Sequence, residues 1–280
     1  DVWVLCINLD SYAGRWAHAR SWAEGEPGVR LQRVEAVDGR AAPEAVLSPV
    51  RGGWQGTGPF EPGMWGNYMS HVATWRALCE SPRDCRFAVV VEDDACPRRP
   101  GTFAGEVTEL ARQLDSADGG WDLALLDEHE WRALERLRED GPLDGAPPPG
   151  WTDSQSDRVF QRVLSDPRRQ QNAGTMADSA ALYRVLCNLH EADPSSRGAP
   201  ARLLRVSGLF EGTHGLLWSR RGAARALALW ERDGVRLQVD EACWGWAAAG
   251  ELAVFKAFPP LLRVDEELGR ISTTQPPEVR

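Results

Sequence analysis

The sequence predicts an α/β fold: a Rossmann-like, mainly parallel sheet flanked by helices, with an inserted, partly helical segment. Three observations lead there. Short apolar runs rich in β-branched residues, at 2–9, 31–37 and 87–91, alternate with stretches whose apolar residues recur at helical spacing. These runs stop abruptly at polar or acidic residues, as strands do where a parallel sheet opens into its loops. Between 128 and 201 the alternation lapses, and it resumes beyond.

Residues 2–9 read as a first strand followed by Asp10 and Ser11. Trp16, Ala19 and Trp22 share one face of a helix over 15–24. A second strand over 31–37 is closed by the Asp38-Gly39 turn, which completes a β-α-β opening. The Gly- and Pro-rich stretch 51–63 is expected to be a loop, 68–78 a helix, and 87–91 a fully apolar strand running into Glu92-Asp93-Asp94. A helix over 103–114 and a strand over 121–126 follow.

Within 128–201, charged helical stretches are separated by 141–150, which contains Pro147, Pro148 and Pro149. A helix is expected over 180–189 and a linker over 192–200. Strands at 203–206, 215–218 and 252–257 and helices at 223–230 and 241–249 complete the alternation, and the polar tail after Asp265 should fray. One domain spanning 1–280, with an insertion at about 128–201, is the expected organisation.

Composition excludes several functions. A net charge of -9 argues against a surface built to neutralise nucleic-acid phosphates. Lys256 is the sole lysine, so no phosphate-binding P-loop can be written and Schiff-base chemistry has a single candidate. The stretch 53–58 lacks G-x-G-x-x-G order and follows no strand, which weighs against dinucleotide binding. Cys6, Cys79, Cys85, Cys96, Cys187 and Cys243 form no C-x-x-C pair and read mostly as buried thiols, a disulfide between two of Cys79, Cys85 and Cys96 being left open. No apolar run has the length to cross a bilayer and nothing at Asp1 resembles a signal peptide. A soluble, cytoplasmic protein is expected, with a secretory-pathway chain lacking its signal as the alternative.

Three adjacent carboxylates beyond so apolar a strand need a counter-charge or water. A hard divalent cation, Mn²⁺ or Mg²⁺, is one solution and a solvated helix cap the other. His214, in the Gly-flanked turn Gly212-Thr213-His214-Gly215, reads either as a metal ligand or as an imidazole bonded to backbone. Asp240 closes the segment 235–239 ahead of a helix, where it serves as an N-cap, as a general base, or as both. His71 and Trp75 share a helical face that reads either as a ledge for a sugar or as core.

Four blocks, in order, resemble glycosyltransferase family 25, which includes lipopolysaccharide β-galactosyltransferases and collagen galactosyltransferases. Cys6-Ile7-Asn8-Leu9-Asp10 with Arg15, and Glu35-Ala36-Val37-Asp38-Gly39, resemble its first two strand ends. The segment Pro62-Gly63-Met64-Trp65-Gly66-Asn67-Tyr68-Met69-Ser70-His71, followed by Trp75, is similar to the family's P-G-E-I-G-C-x-x-S-H. The stretch 87–94 resembles its strand and E-D-D, and Gly212-Thr213-His214-Gly215 with Val239-Asp240-Glu241 forms the last block. Met64 and Asn67 depart from the pattern, standing where the family has Glu and Cys.

This resemblance implies a GT-A-type fold and a metal-dependent, inverting transfer of a hexose, galactose from its uridine diphosphate foremost, to a hydroxyl of a glycan or protein. It implies Mn²⁺ or Mg²⁺ held by Asp94 and His214, with Asp93 or Glu92 beside Asp94. Asn8, Asp10, Arg15, Asp38, Ser70, His71, Glu92 and Asp93 would serve the nucleotide-sugar donor. Asp240 would be the base, with Glu241 as its alternative. Trp244 and Trp246 are candidate acceptor platforms, one of which is expected to meet the acceptor, since most of the thirteen tryptophans must be structural. A catalytically silent relative that only binds nucleotide sugar or glycan is the competing reading. A metal-dependent hydrolase is disfavoured because no second carboxylate-histidine cluster is visible.

Overall fold

The apolar run Val2–Asn8 forms β1, whose pleat sends Val4 and Cys6 to one side and Leu5 and Ile7 to the other, so both faces meet core. The computed structural model describes residues 1–56, 59–116, 120–127, 202–206, 212–258 and 260–269. After β1 come α1 (Ala13–Glu24), β2 (Val29–Glu35), a 3₁₀ turn (Gly39–Ala41), α2 (Glu44–Gly52) and α3 (Pro62–Glu80). Next are β3 (Phe87–Glu92), β4 (Ala95–Pro97), α4 (Phe103–Asp115), β5 (Leu123–Leu125) and β6 (Arg202–Val206). The described elements end with β7 (Gly215–Ser219), α5 (Arg220–Asp233), α6 (Val239–Ala248), β8 (Val254–Phe258), β9 (Leu262–Val264) and α7 (Glu266–Gly269).

The main sheet has the order β2-β1-β3-β7-β5-β8-β6. In it β1, β2, β3, β5 and β8 run one way and β7 and β6 the other. One face carries the cluster built on Trp75, Trp218 and Trp246 beneath α3, α5 and α6, and the other is covered by α1 and α4. This is the expected α/β class, a mostly parallel sheet flanked by helices, consistent with a GT-A-type fold. The topology places the site: β7 opposes β3 with Gly215 paired to Val91, so the loop before β7 and the turn after β3 meet at one edge.

Several boundaries differ from expectation. The second strand lies two residues earlier, and α3 starts at Pro62 instead of 68 because proline suits the first helical turn. Residues 51–52, expected in a loop, end α2, which accommodates Pro49. Helix α5 starts at Arg220 because the Ser219 hydroxyl accepts from the Gly222 N–H at 2.9 Å. The ladder of β4 on β9 was not expected.

The first turn of α3 lies against the loop after β2 with backbone in contact. A Cβ on Gly39 would sit 1.8 Å from the Pro62 carbonyl oxygen, and one on Gly66 2.4 Å from that of Val37. Cys6, Cys79, Cys85, Cys96 and Cys243 are free thiols, so the disulfide left open among Cys79, Cys85 and Cys96 does not form. Cys187, the insertion at 128–201 with its expected helix and linker, and the tail beyond 269 lie outside the described residues. Among the described residues no helix is long and apolar enough to cross a membrane.

Candidate metal centre and adjoining cleft

Strand β3 delivers Glu92 to the sheet edge, the turn after it delivers Asp94, and the loop before β7 delivers His214. One ligand atom from each lies within 4.8 Å of the others. The Glu92 Oε1 accepts from Asn67 Nδ2 at 3.2 Å and from the Thr213 hydroxyl, while Oε2 lies 3.8 Å from His214 Nε2. The Asp94 Oδ2 stands 3.5 Å from Arg15 Nη2. Its other oxygen, Oδ1, is buried and accepts no hydrogen bond among the described residues.

Electrostatics sharpen the picture. Burial pushes the Asp94 carboxyl up to about 6, Glu92 adding to the effect and His214 opposing it. Burial also works against the charge of Glu92, yet His214, the Thr213 hydroxyl, His71 and Asn67 outweigh it and hold that carboxyl below its ordinary value. A buried carboxylate oxygen without a donor costs on the order of 1–3 kcal/mol or more. Two carboxylates and an imidazole around such an oxygen fit a divalent cation.

Asp93 does not belong to this group. Its oxygens are taken by Asn8 Nδ2 at 2.6 Å and Arg15 Nη1 at 2.7 Å, so of the two carboxylates expected beside Asp94 it is Glu92 that stands in the cluster. The chain turns at Asp93-Asp94, and tertiary contacts set the roles: Arg15 and Asn8 approach Asp93, while Asn67 and Thr213 approach Glu92.

Beside the cluster lies a cavity of about 140 Å³, and Asn8, Arg15, Asp38, Ser70, Glu92 and Asp93 line it. Two expected donor residues lie elsewhere. Asp10 is exposed and pairs with Arg33 at 2.6 Å. His71 is fully buried, with neither ring nitrogen bonded among the described residues, and burial lowers its pKa to about 4, so it is a neutral core imidazole. Arg15 is committed to Asp93 and to the Leu268 carbonyl at 2.7 Å. The Ser70 hydroxyl accepts from Val37 N at 2.9 Å and donates to the Gly66 carbonyl at 2.7 Å, which ties α3 to the loop after β2.

Asp240 is the second residue of α6, and Gln238 occupies the N-cap, so the capping role open to Asp240 falls to its neighbour. The Asp240 carboxylate accepts from Gly212 N at 3.2 Å and Glu241 N at 2.9 Å, which joins it to the loop carrying His214. Glu241 accepts from Gln238 N at 3.1 Å and is nearly buried. Trp246 is core: 5% exposed, its indole nitrogen donates to Asp233 at 2.9 Å and its ring lies 6.3 Å from that of Trp75. It therefore offers no acceptor platform, whereas Trp244 is half-buried. Asn67 and Thr213, the donors to Glu92, lie inside two of the motifs, and no signal in the sequence marks them as its partners.

No protein-family model and no curated protein matches the chain. Solved structures similar to it include the following two. An active-site mutant of LgtC is 13% identical with a TM-score of 0.37, the match covering 90% of this chain and 72% of that one. Mouse xyloside xylosyltransferase 1, in its apo form, is 13% identical with a TM-score of 0.37, covering 89% of this chain and 81% of that one. At that score the likeness bears no weight for function. What the chain's own topology and residues define is a candidate divalent-cation centre at the carboxyl edge of a mostly parallel α/β sheet.

Proposed function

We propose that the chain is a metal-dependent glycosyltransferase that moves a hexose with inversion from a nucleotide sugar to a hydroxyl of a glycan or protein. UDP-galactose is the first candidate donor, in keeping with the family 25 resemblance. The observation that carries the reading is the buried Asp94 Oδ1, which has no hydrogen-bond donor among the described residues, on a carboxylate grouped with Glu92 and His214 beside the cleft.

Glu92, Asp94 and His214 would hold Mn²⁺ or Mg²⁺, whose charge stabilises a departing nucleoside diphosphate. The cleft after β1 and β2 would take the nucleoside, with Asp38 and Asn8 on its wall. Asp240 would accept the proton of the attacking hydroxyl, fixed relative to the cation site through Gly212. Trp244 is the remaining candidate for contact with the acceptor, and the insertion at 128–201 within a single domain is assigned to acceptor choice.

The test is a panel of nucleotide sugars offered to the purified chain with Mn²⁺ and with a chelator. One donor should raise the melting temperature and release free nucleoside diphosphate only when Mn²⁺ is present. Stabilisation without release by any donor would make the chain a binding protein, and neither effect would reject the reading.

A further inference from the structure

The carboxylate of Glu92 is held by one of its two oxygens. A carboxylate oxygen has about two acceptor directions, and both of those on Oε1 are used, by Asn67 Nδ2 at 3.2 Å and by the Thr213 hydroxyl. The donors sit on well-fixed backbone. Asn67 lies in the second turn of α3, whose start is pressed against the loop after β2 through Gly39 and Gly66. Thr213 is 8% exposed, and its loop is pinned on one side by Asp240 to Gly212 N and on the other by Glu92 N to the His214 carbonyl at 3.3 Å. Only Oε2 is left facing His214.

We infer that Asn67 and Thr213 are positioning residues that lock Glu92 into offering a cation a single oxygen, and so favour small six-coordinate cations over Ca²⁺. This rests on the cation-centre reading above. Mg²⁺ and Mn²⁺ take near-octahedral sites in which each carboxylate gives one oxygen, whereas Ca²⁺ fills its six to eight places readily with two-oxygen carboxylates. With Oε1 occupied, the two-oxygen mode is closed. Asn67, one of the two departures from the family pattern, thereby acquires a physical role in this chain.

Calorimetric titration of Mn²⁺ and Ca²⁺ into the metal-free protein, without donor, tests this independently of turnover. Thr213→Val and Asn67→Ala should weaken Mn²⁺ binding by about 10–100-fold, the range for losing a group that orients a ligand. Both should weaken Ca²⁺ less, so the Mn²⁺-to-Ca²⁺ affinity ratio falls, while Thr213→Ser keeps the parent values. Parent-like Mn²⁺ binding by either variant, a Thr213→Ser as weak as Thr213→Val, or equal loss of both ions would overturn the inference. If Thr213→Val does not fold, Asn67→Ala decides. Asp94→Asn separates the two levels: if it binds Mn²⁺ as the parent does, the cation centre itself is rejected and this inference falls with it.

Discussion

Asp94 and Asp122 are both buried aspartates beside strands of one sheet, but they lie at opposite edges and differ in how they are satisfied. Asp122 precedes β5 and is fully buried. Its carboxylate accepts from Arg221 at 2.9 Å, Arg225 at 2.8 Å and Ala253 N at 2.8 Å. Its carbonyl accepts from Ser219 N at 3.0 Å, and a Cβ on Gly222 would come within 2.1 Å of that oxygen. Asp94 has one cation at 3.5 Å and an oxygen with no donor among the described residues. Burial alone therefore does not mark a functional carboxylate; a buried oxygen with no donor among the described residues is what calls for a further partner.

The largest way to test that contrast is Asp94→Asn. It should abolish detectable Mn²⁺ binding and cut transfer by about a hundredfold or more, since a bound cation supplies several kcal/mol of charge stabilisation. Circular dichroism should find the fold intact. Calorimetry and turnover decide, and parent-like values for both would end the assignment.

Asp240 sharpens the comparison because each of its oxygens accepts a backbone N–H group. Asp240→Asn can accept only one of those bonds and loses basicity, so transfer should fall by about a hundredfold while Mn²⁺ affinity barely moves. A variant that keeps most of its rate would reduce Asp240 to a tether for the His214 loop. Loss exclusive to Glu241→Gln would move the base one residue on.

Asp122→Ala should do the reverse of Asp94→Asn. It removes one acceptor from Ala253 N and from each of two half-exposed arginines, a cost of about 2–3 kcal/mol in denaturant unfolding, with Mn²⁺ affinity unchanged. Equal damage to metal binding would show that the two edges are coupled.

The smallest effect concerns pH. In the folded chain the Asp94 carboxyl, at about 6 against an ordinary 3.8, is penalised as an anion, so its contribution to stability falls as pH rises through that interval. Asp94→Asn escapes the penalty and should gain on the parent by about 1 kcal/mol from about pH 5 to about pH 7 in metal-free buffer. Saturating Mn²⁺ should restore the parent's advantage, because only the parent binds it. A flat difference across this range would mean that the carboxylate is better solvated than its burial implies.

Much of the fold was legible because its signals are local. The strand Phe87–Glu92 announces itself as an unbroken apolar run, and the helical spacing of Val72, Trp75 and Leu78 marks α3. The ladder of β4 on β9 was not, since three-residue strands gain their identity only from a partner distant in the chain. Within the candidate site, the acidic triplet pointed to the right place while direction decided the roles. Glu92 joins Asp94 and Asp93 does not, because Arg15 and Asn8 approach Asp93 while Asn67 and Thr213 approach Glu92, contacts made by tertiary packing. Trp246 likewise looked like a platform until α6 turned it onto Trp75.

The backbone around Asp94 is held by residues near the far end of the chain. Asp265 N donates to the Asp94 carbonyl at 2.7 Å, and Arg15, beside Asp93 and Asp94, donates to the Leu268 carbonyl. During synthesis from the amino terminus, Arg15, Glu92, Asp94 and His214 are all in place before those two partners have been made. These two bonds thus form only after residues 265–268 have been made. A nascent chain arrested before Asp265 would carry every proposed ligand and still lack the bonds that set the Asp94 turn.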